Sequence, residues 1–216
     1  MSFRAKLYSS KRYWQQEGLH HALKNADTRG WLISHSVLVA EVASRIRNGM
    51  RVVELGCSGG HWFERLNLRE RGCDYTGIDW NPDSVDLARK RHPDADFRLS
   101  DLTKISDLGE FDYVLACQIL FFLDQPALER ILSQMPPSAL ITLSEPSAYD
   151  IDSYAVSRPK LRSNKHGNKA VVYKHPYPSI VHRLGFDILS RQFTEFHPGK
   201  VKLVMTAQRK ISATHP

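Results

Sequence analysis

Val52-Val53-Glu54-Leu55-Gly56-Cys57-Ser58-Gly59-Gly60 is the stretch that decides the fold of this chain. An apolar run of strand character passes directly into a cluster of small residues. Small residues at 56, 58, 59 and 60 allow a sharp backbone turn and close approach of a ligand. A dinucleotide fingerprint would need glycine at 58 and 61, where the chain has Ser58 and His61. A Walker loop would end in Gly-Lys-Ser/Thr, which is absent. Two readings remain for the turn, a cofactor cradle or a structural turn.

On either side of that stretch, strands alternate with helices. Strands are expected at 51–55, 74–79, 96–100, 111–117, 139–144, 186–191 and 201–208, with helices at 60–70, 82–92, 126–134 and 177–184. Asn81 before Pro82 is an N-cap followed by a first-turn proline. Strands alternating with helices make an α/β protein with a parallel sheet covered on both faces. Upstream, 31–46 has helical spacing and ends at Asn48-Gly49. Residues 1–48 are therefore read as an N-terminal helical lid or cap, and 49–216 as one α/β domain. Tyr8, Tyr13, Trp14 and the His20-His21 pair would belong to the lid, or else to a helix packed on the sheet. Residues 147–176 break the rhythm as a basic insert and read as a long connection.

The chain has 216 residues, 42% hydrophobic and 25% charged, enough apolar content for a core and too much for wholesale disorder. Its net charge of +7 admits nucleic acid or an acidic substrate without selecting either. Cys57, Cys73 and Cys117 form no C-x-x-C pair, so neither a disulfide framework nor a cysteine zinc site is expected. A cytoplasmic setting fits. No signal-peptide run and no membrane-spanning stretch is found.

Three further motifs follow the glycine turn in order. Tyr75-Thr76-Gly77-Ile78-Asp79 ends a strand in an acid nineteen residues past Gly60, where a carboxylate can accept both hydroxyls of a ribose. The alternative is a turn or capping aspartate. Phe97-Arg98-Leu99-Ser100-Asp101-Leu102 ends the next strand in another acid. Phe111 to Asp124 carries a strand into Gln118, Phe121 and Phe122.

Together these motifs resemble the class I S-adenosylmethionine-dependent methyltransferases, over residues 31 to 208. The resemblance implies a three-layer α/β/α sandwich on a doubly wound, seven-stranded, mostly parallel sheet with the last strand antiparallel. It implies S-adenosylmethionine as cofactor, S-adenosylhomocysteine as product, and no metal. It places Glu54, Gly56, Cys57, Ser58 and Gly60 at the cofactor turn, with Ser58 replacing the family's middle glycine. Asp79 and Trp80 fall at the ribose, Asp101 and Leu102 at the adenine, and Cys117 and Gln118 beside the methionine moiety.

Methyl transfer from a sulfonium is mainly an alignment problem, and a base is needed only for a protonated acceptor. The candidate bases are His175, His61 and Glu145. His61 is equally read as a polar residue at a helix start. His175 lies after the long connection, where related enzymes often place acceptor-side residues, and Glu145 sits just past the fifth strand on the carboxyl edge where ligands bind. Cys117 reads as a buried strand residue, because no proline precedes it as in 5-methylcytosine enzymes. The Asp/Asn-Pro-Pro-aromatic motif of N6 enzymes is also missing. The expected activity is transfer to an oxygen or nitrogen of a small-molecule acceptor, one that would suit an acidic molecule, by a monomer or homodimer with no membrane partner. The second reading is an RNA or protein methyltransferase that uses the basic 158–174 loop. A third is a cofactor-binding protein without turnover.

Overall fold

The computed structural model describes residues 28–153, 156–163, 169–197 and 199–211. The order is α1 (Thr28–Arg45), β1 (Arg51–Leu55), α2 (His61–Arg65), β2 (Asp74–Asp79), α3 (Pro82–Arg91), β3 (Asp96–Leu99) and β4 (Tyr113–Cys117). A 3₁₀ turn at Leu120–Phe122 leads to α4 (Gln125–Ser133) and β5 (Leu140–Ser147). Then come β6 (Arg158–Ser163), β7 (Lys169–Lys174), α5 (Tyr177–Arg183), β8 (Phe186–His197) and β9 (Lys200–Arg209).

The main sheet has seven strands in the order β3-β2-β1-β4-β5-β9-β8. The pairings β3-β2-β1-β4-β5 are parallel. Strand β9 runs antiparallel to both β5 and β8. The expected seven-stranded sheet with an antiparallel last strand is thus observed. Strand order reverses between β1 and β4, which opens a crevice at their carboxyl ends.

Alternate residues of each strand feed two cores. On one face Val53, Leu55, Val114, Ala116, Ile141 and Leu143 pack with Leu128 and Ile131 of α4 and Ile180 and Val181 of α5. On the other, Val52, Tyr75, Tyr113 and Leu115 pack with Leu38 and Val42 of α1, Trp62 and Phe63 of α2, and Val85 and Ala88 of α3. Helix α1 is also pinned by a buried polar chain. Tyr113 Oη meets Thr142 Oγ1 at 2.5 Å, Thr142 Oγ1 meets Thr206 Oγ1 at 2.7 Å, and Thr206 donates to Glu41 Oε1 at 2.6 Å. The part of the expected lid from Thr28 onward is therefore a helix packed on the sheet. Tyr8, Tyr13, Trp14, His20 and His21 lie outside the described residues.

Two expectations need correction. The helix expected over 60–70 is helical only over His61–Arg65. Gly60 (φ 75°) and Asn67 (φ 51°) are both left-handed, so neither can continue it. The insert 147–176 is not an irregular connection, because β6 and β7 pair as a separate antiparallel hairpin. Its alternating cations hide the strand pattern that tertiary pairing reveals. Asn81 caps α3 as expected, accepting from Ser84 N at 3.0 Å, with Pro82 beginning the helix.

Candidate functional site

The glycine turn is held from below. The Gly56 and Cys57 amides both donate to the Ile78 carbonyl, at 2.8 and 3.1 Å. Gly56 (φ 74°), Ser58 (φ 49°) and Gly60 (φ 75°) are all left-handed. A side chain at 56 would therefore be strained. Its Cβ would also stand 2.7 Å from Ile119 Cγ1 in the turn after β4. The glycine thus lets the two turns at the switch point close on each other, so its space faces Ile119 rather than an open ligand cavity. Gly56→Val is expected to lower cofactor affinity at least about tenfold, from backbone strain of about 1–3 kcal/mol plus the clash. Calorimetric titration with S-adenosylhomocysteine checks this. Adding Ile119→Ala should recover part of the loss, and a single variant that binds normally would discard the account.

Beneath the turn, Glu54 is buried and accepts a hydrogen bond from the Tyr75 hydroxyl. Burial drives its carboxyl well above the usual range, against that bond, and nearby Asp79 adds to the rise. Glu54 is thus a buried partner of Tyr75. Cys57 is buried as well, and its thiol is pushed up by burial.

Asp79 closes β2 and faces the turn. Its Oδ2 accepts from Ser58 N at 2.9 Å and its Oδ1 from Asn81 N at 2.9 Å. Burial raises its carboxyl, while the amides of Asn81, Ser58 and Trp80 pull it back. The two amides fix a strand-end carboxylate whose further lone pairs can accept hydroxyls. Trp80 follows half-buried. Asp101 uses Oδ1 in an Asx turn, accepting from Thr103 N at 3.0 Å and Thr103 Oγ1 at 2.7 Å. The Leu102 side chain lies in the core with Ile78 and Leu108.

The turn after β4 gathers the other expected residues. Gln118 is left-handed (φ 55°), a strained conformation for a non-glycine residue at the carboxyl edge. The Cys117 thiol is pushed up to about 12 by burial, so it stays protonated at neutral pH. Glu145, one residue past the last β4–β5 pair, is fully buried and faces the backbone of the turn. Its Oε1 accepts from Ile119 N at 3.0 Å and Leu120 N at 2.9 Å, and its Oε2 from Phe121 N at 3.4 Å. Burial lifts its carboxyl to about 8, and the three amides oppose that rise.

His175 is 1% exposed. Its Nε2 lies 3.0 Å from the Leu123 carbonyl and its Nδ1 2.6 Å from Ser157 Oγ. Burial lowers the imidazole to about 4. Both nitrogens are thus engaged by the protein. His61 is buried at the start of α2 rather than solvent-facing.

The sequence reading missed one cluster. His35 Nε2, on α1, is 3.2 Å from Gln118 Nε2 and 3.3 Å from Lys202 Nζ. Lys202 is buried, and burial lowers its amine. A lysine between Val201 and Leu203, at the start of the apolar run through Met205, was the available signal. Among the described residues no group of three or more His, Cys, Asp or Glu could hold a metal, and no helix is long and apolar enough to cross a membrane.

Residues 52–137 match the family model described as a methyltransferase domain. Magnesium-protoporphyrin O-methyltransferase of Rhodobacter capsulatus is 32% identical over 92 residues, covering 40% of each chain. Trans-aconitate 2-methyltransferase of Mycobacterium tuberculosis (strain ATCC 25177 / H37Ra) is 25% identical over 152 residues, 68% of this chain and 53% of that one. The chain thus spans about half or less of the length of these relatives. A solved complex of DhpI with SAH shares the fold at TM-score 0.69 and 17% identity, covering 97% of this chain and 99% of that one. The matched methyltransferase domain runs from β1 through α4, including the glycine turn and both strand-end acids, and with this sheet order the chain has the fold of the class I S-adenosylmethionine-dependent methyltransferases, which it resembles in sequence over that segment.

Proposed function

We propose that this chain transfers a methyl group from S-adenosylmethionine to an oxygen or nitrogen of a small-molecule acceptor. The observation that carries the reading is Asp79, fixed at the end of β2 by the Ser58 and Asn81 amides beside the left-handed glycine turn. That donor set fits a ribose, because the carboxylate is pre-oriented and retains acceptor capacity. Asp101 and the Leu102 backbone would hold the adenine, and Cys117 and Gln118 would flank the methionine moiety. When bound, the cofactor supplies the methyl group and its leaving sulfide.

The protein's part is alignment and exclusion of water. The Phe121 and Phe122 rings, 4.0 Å apart on the turn after β4, offer an apolar wall. His35, Gln118 and Lys202 offer polar contacts at the same sheet edge. His175 and Glu145 are better read as supports than as bases, since each already serves the backbone of that turn. His61 is retained as a base candidate by its place at the start of α2, beside the glycine turn. The small-molecule reading is favoured by relatives named for magnesium-protoporphyrin and trans-aconitate.

One observation favours the second reading, methylation of RNA or protein. Between 158 and 174 the chain has Arg158, Lys160, Arg162, Lys165, Lys169 and Lys174 and no acid. The two readings separate when radiolabelled methyl is transferred into a size-fractionated cell extract. Label in the small-molecule fraction, resistant to nuclease and protease, is the expected result. Label in nuclease- or protease-sensitive material, with transfer to RNA falling steeply as salt rises, would favour the second.

A further inference from the structure

We propose that Glu145 and His175 are a pair of positioning residues that clamp the two ends of the turn after β4, and that the clamp ties the β6–β7 hairpin to that turn. The importance of this turn as an acceptor wall rests on the methyltransferase reading above.

The turn Leu120–Phe122 is too short to satisfy its own first amides. Glu145 accepts from all three of Ile119, Leu120 and Phe121. At the other end, the Leu123 carbonyl faces His175 Nε2 at 3.0 Å. A carbonyl only accepts, so Nε2 carries the proton and donates. In the neutral ring that leaves Nδ1 as an acceptor for the Ser157 hydroxyl, 2.6 Å away.

Ser157 and Gln125 extend the clamp. Gln125 Oε1 accepts from Ser157 N at 3.0 Å and lies 2.8 Å from Ser157 Oγ. The single hydroxyl proton of Ser157 serves one of these two acceptors at a time, while the Ser157 amide keeps Gln125 in place in either case. Gln125 Nε2 donates to Glu129 Oε1 at 2.7 Å, so its amide orientation is set by α4. Ser157 immediately precedes β6, and His175 immediately follows β7. Both roots of the hairpin therefore meet the same short segment, Leu123 to Gln125, which connects the turn to α4. The Tyr173 ring stacks on His175 at 5.6 Å and the Tyr177 ring meets it edge-on at 5.2 Å, which fixes the imidazole plane.

The pairing accounts for the burial of two titratable groups at the carboxyl edge of the sheet, each with its polar atoms turned to protein partners. Each holds backbone that carries the Phe121–Phe122 wall. The hairpin and the wall would then open and close as one unit.

Hydrogen exchange read by mass spectrometry on the full chain tests this, with wild type, Ser157→Ala, His175→Leu and His175→Gln. Ser157→Ala and His175→Leu are expected to speed exchange about tenfold in 119–124 and in the hairpin peptides together. His175→Gln can donate to Leu123 and accept from Ser157, so it should restore most of the protection. S-adenosylhomocysteine affinity should stay within about threefold in Ser157→Ala, by the same order-of-magnitude reasoning. Faster exchange confined to the hairpin, with 119–124 unchanged, overturns the proposal. So does a glutamine variant no better than leucine, or a Ser157→Ala variant that also loses the cofactor. Should His175→Leu fail to fold, the Ser157→Ala comparison still decides. If the wild type binds no S-adenosylhomocysteine, the methyltransferase reading fails, while the exchange result stands on its own.

Discussion

Asp79→Ala is expected to lose at least about 100-fold in affinity for S-adenosylhomocysteine while remaining folded. The carboxylate accepts from the Ser58 and Asn81 amides at 2.9 Å each, and in the proposed complex it also accepts the ribose hydroxyls. Hydrogen bonds to a charged group contribute about 1.5–3 kcal/mol each, so losing the ribose contacts alone approaches the 2.7 kcal/mol or so that corresponds to about 100-fold. Loosening the Ser58 amide adds to the loss by releasing the left-handed turn. Calorimetry with a parallel thermal melt separates affinity from folding. A folded variant that binds within threefold of wild type, far less than these hydrogen bonds predict, removes the ribose assignment. The pH dependence has a defined sign. Because burial raises the Asp79 carboxyl, it protonates at higher pH than an ordinary aspartate, and wild-type affinity should fall as the solution is acidified. Asp79→Asn should bind weakly at every pH and lack that acid limb.

Glu145→Ala should be the most destabilising single change in the site. It leaves the Ile119, Leu120 and Phe121 amides buried with no acceptor, at about 1–3 kcal/mol for each lost partner. A total of about 3–5 kcal/mol, seen as a fall in Tm of about 10 °C or more, is expected. Glu145→Gln retains one oxygen for Ile119 and Leu120 but turns its amide toward Phe121 N, so its loss should be smaller. An alanine variant as stable as wild type would mean that the turn finds other acceptors and would discard the clamp.

The Glu145 carboxyl also sets a pH window. Burial lifts it from 4.5 to about 8, so between those values the folded state binds more protons than the unfolded one. Its contribution to stability therefore weakens as pH rises through that range. His175 runs the other way. Its imidazole is lowered from 6.5 to about 4, so stability lost below 6.5 returns as pH rises to that value. Between about 6.5 and 8 the glutamate acts without opposition from the histidine. Urea midpoints across that interval should fall in wild type and fall less in Glu145→Gln, and equal slopes would refute the assignment.

The two groups illustrate what residue type alone could and could not tell. A histidine and a glutamate near the carboxyl edge of a sheet look like bases in a sequence. The hydrogen-bond partners of Glu145 are 24 to 26 residues away, and the Leu123 carbonyl is 52 residues from His175. No local pattern encodes such pairings. The cluster of His35, Gln118 and Lys202 was hidden for the same reason, with separations of 83 and 167 residues.

By itself the sequence determined what depends on neighbours along the chain. The boundaries of β1 and β2, the Asn81-Pro82 start of α3 and the small-residue turn after β1 follow from strand character, capping chemistry and the left-handed conformations that glycine accepts. The alternation of strands and helices was enough for the layered class. Only the tertiary structure decided what the polar residues do. Burial and partner geometry made Glu145 and His175 supports of one turn, set Ile119 rather than a ligand cavity against Gly56, and paired the basic insert into a hairpin. Hydrogen-bond satisfaction and desolvation act through space, between groups the chain brings together only when folded.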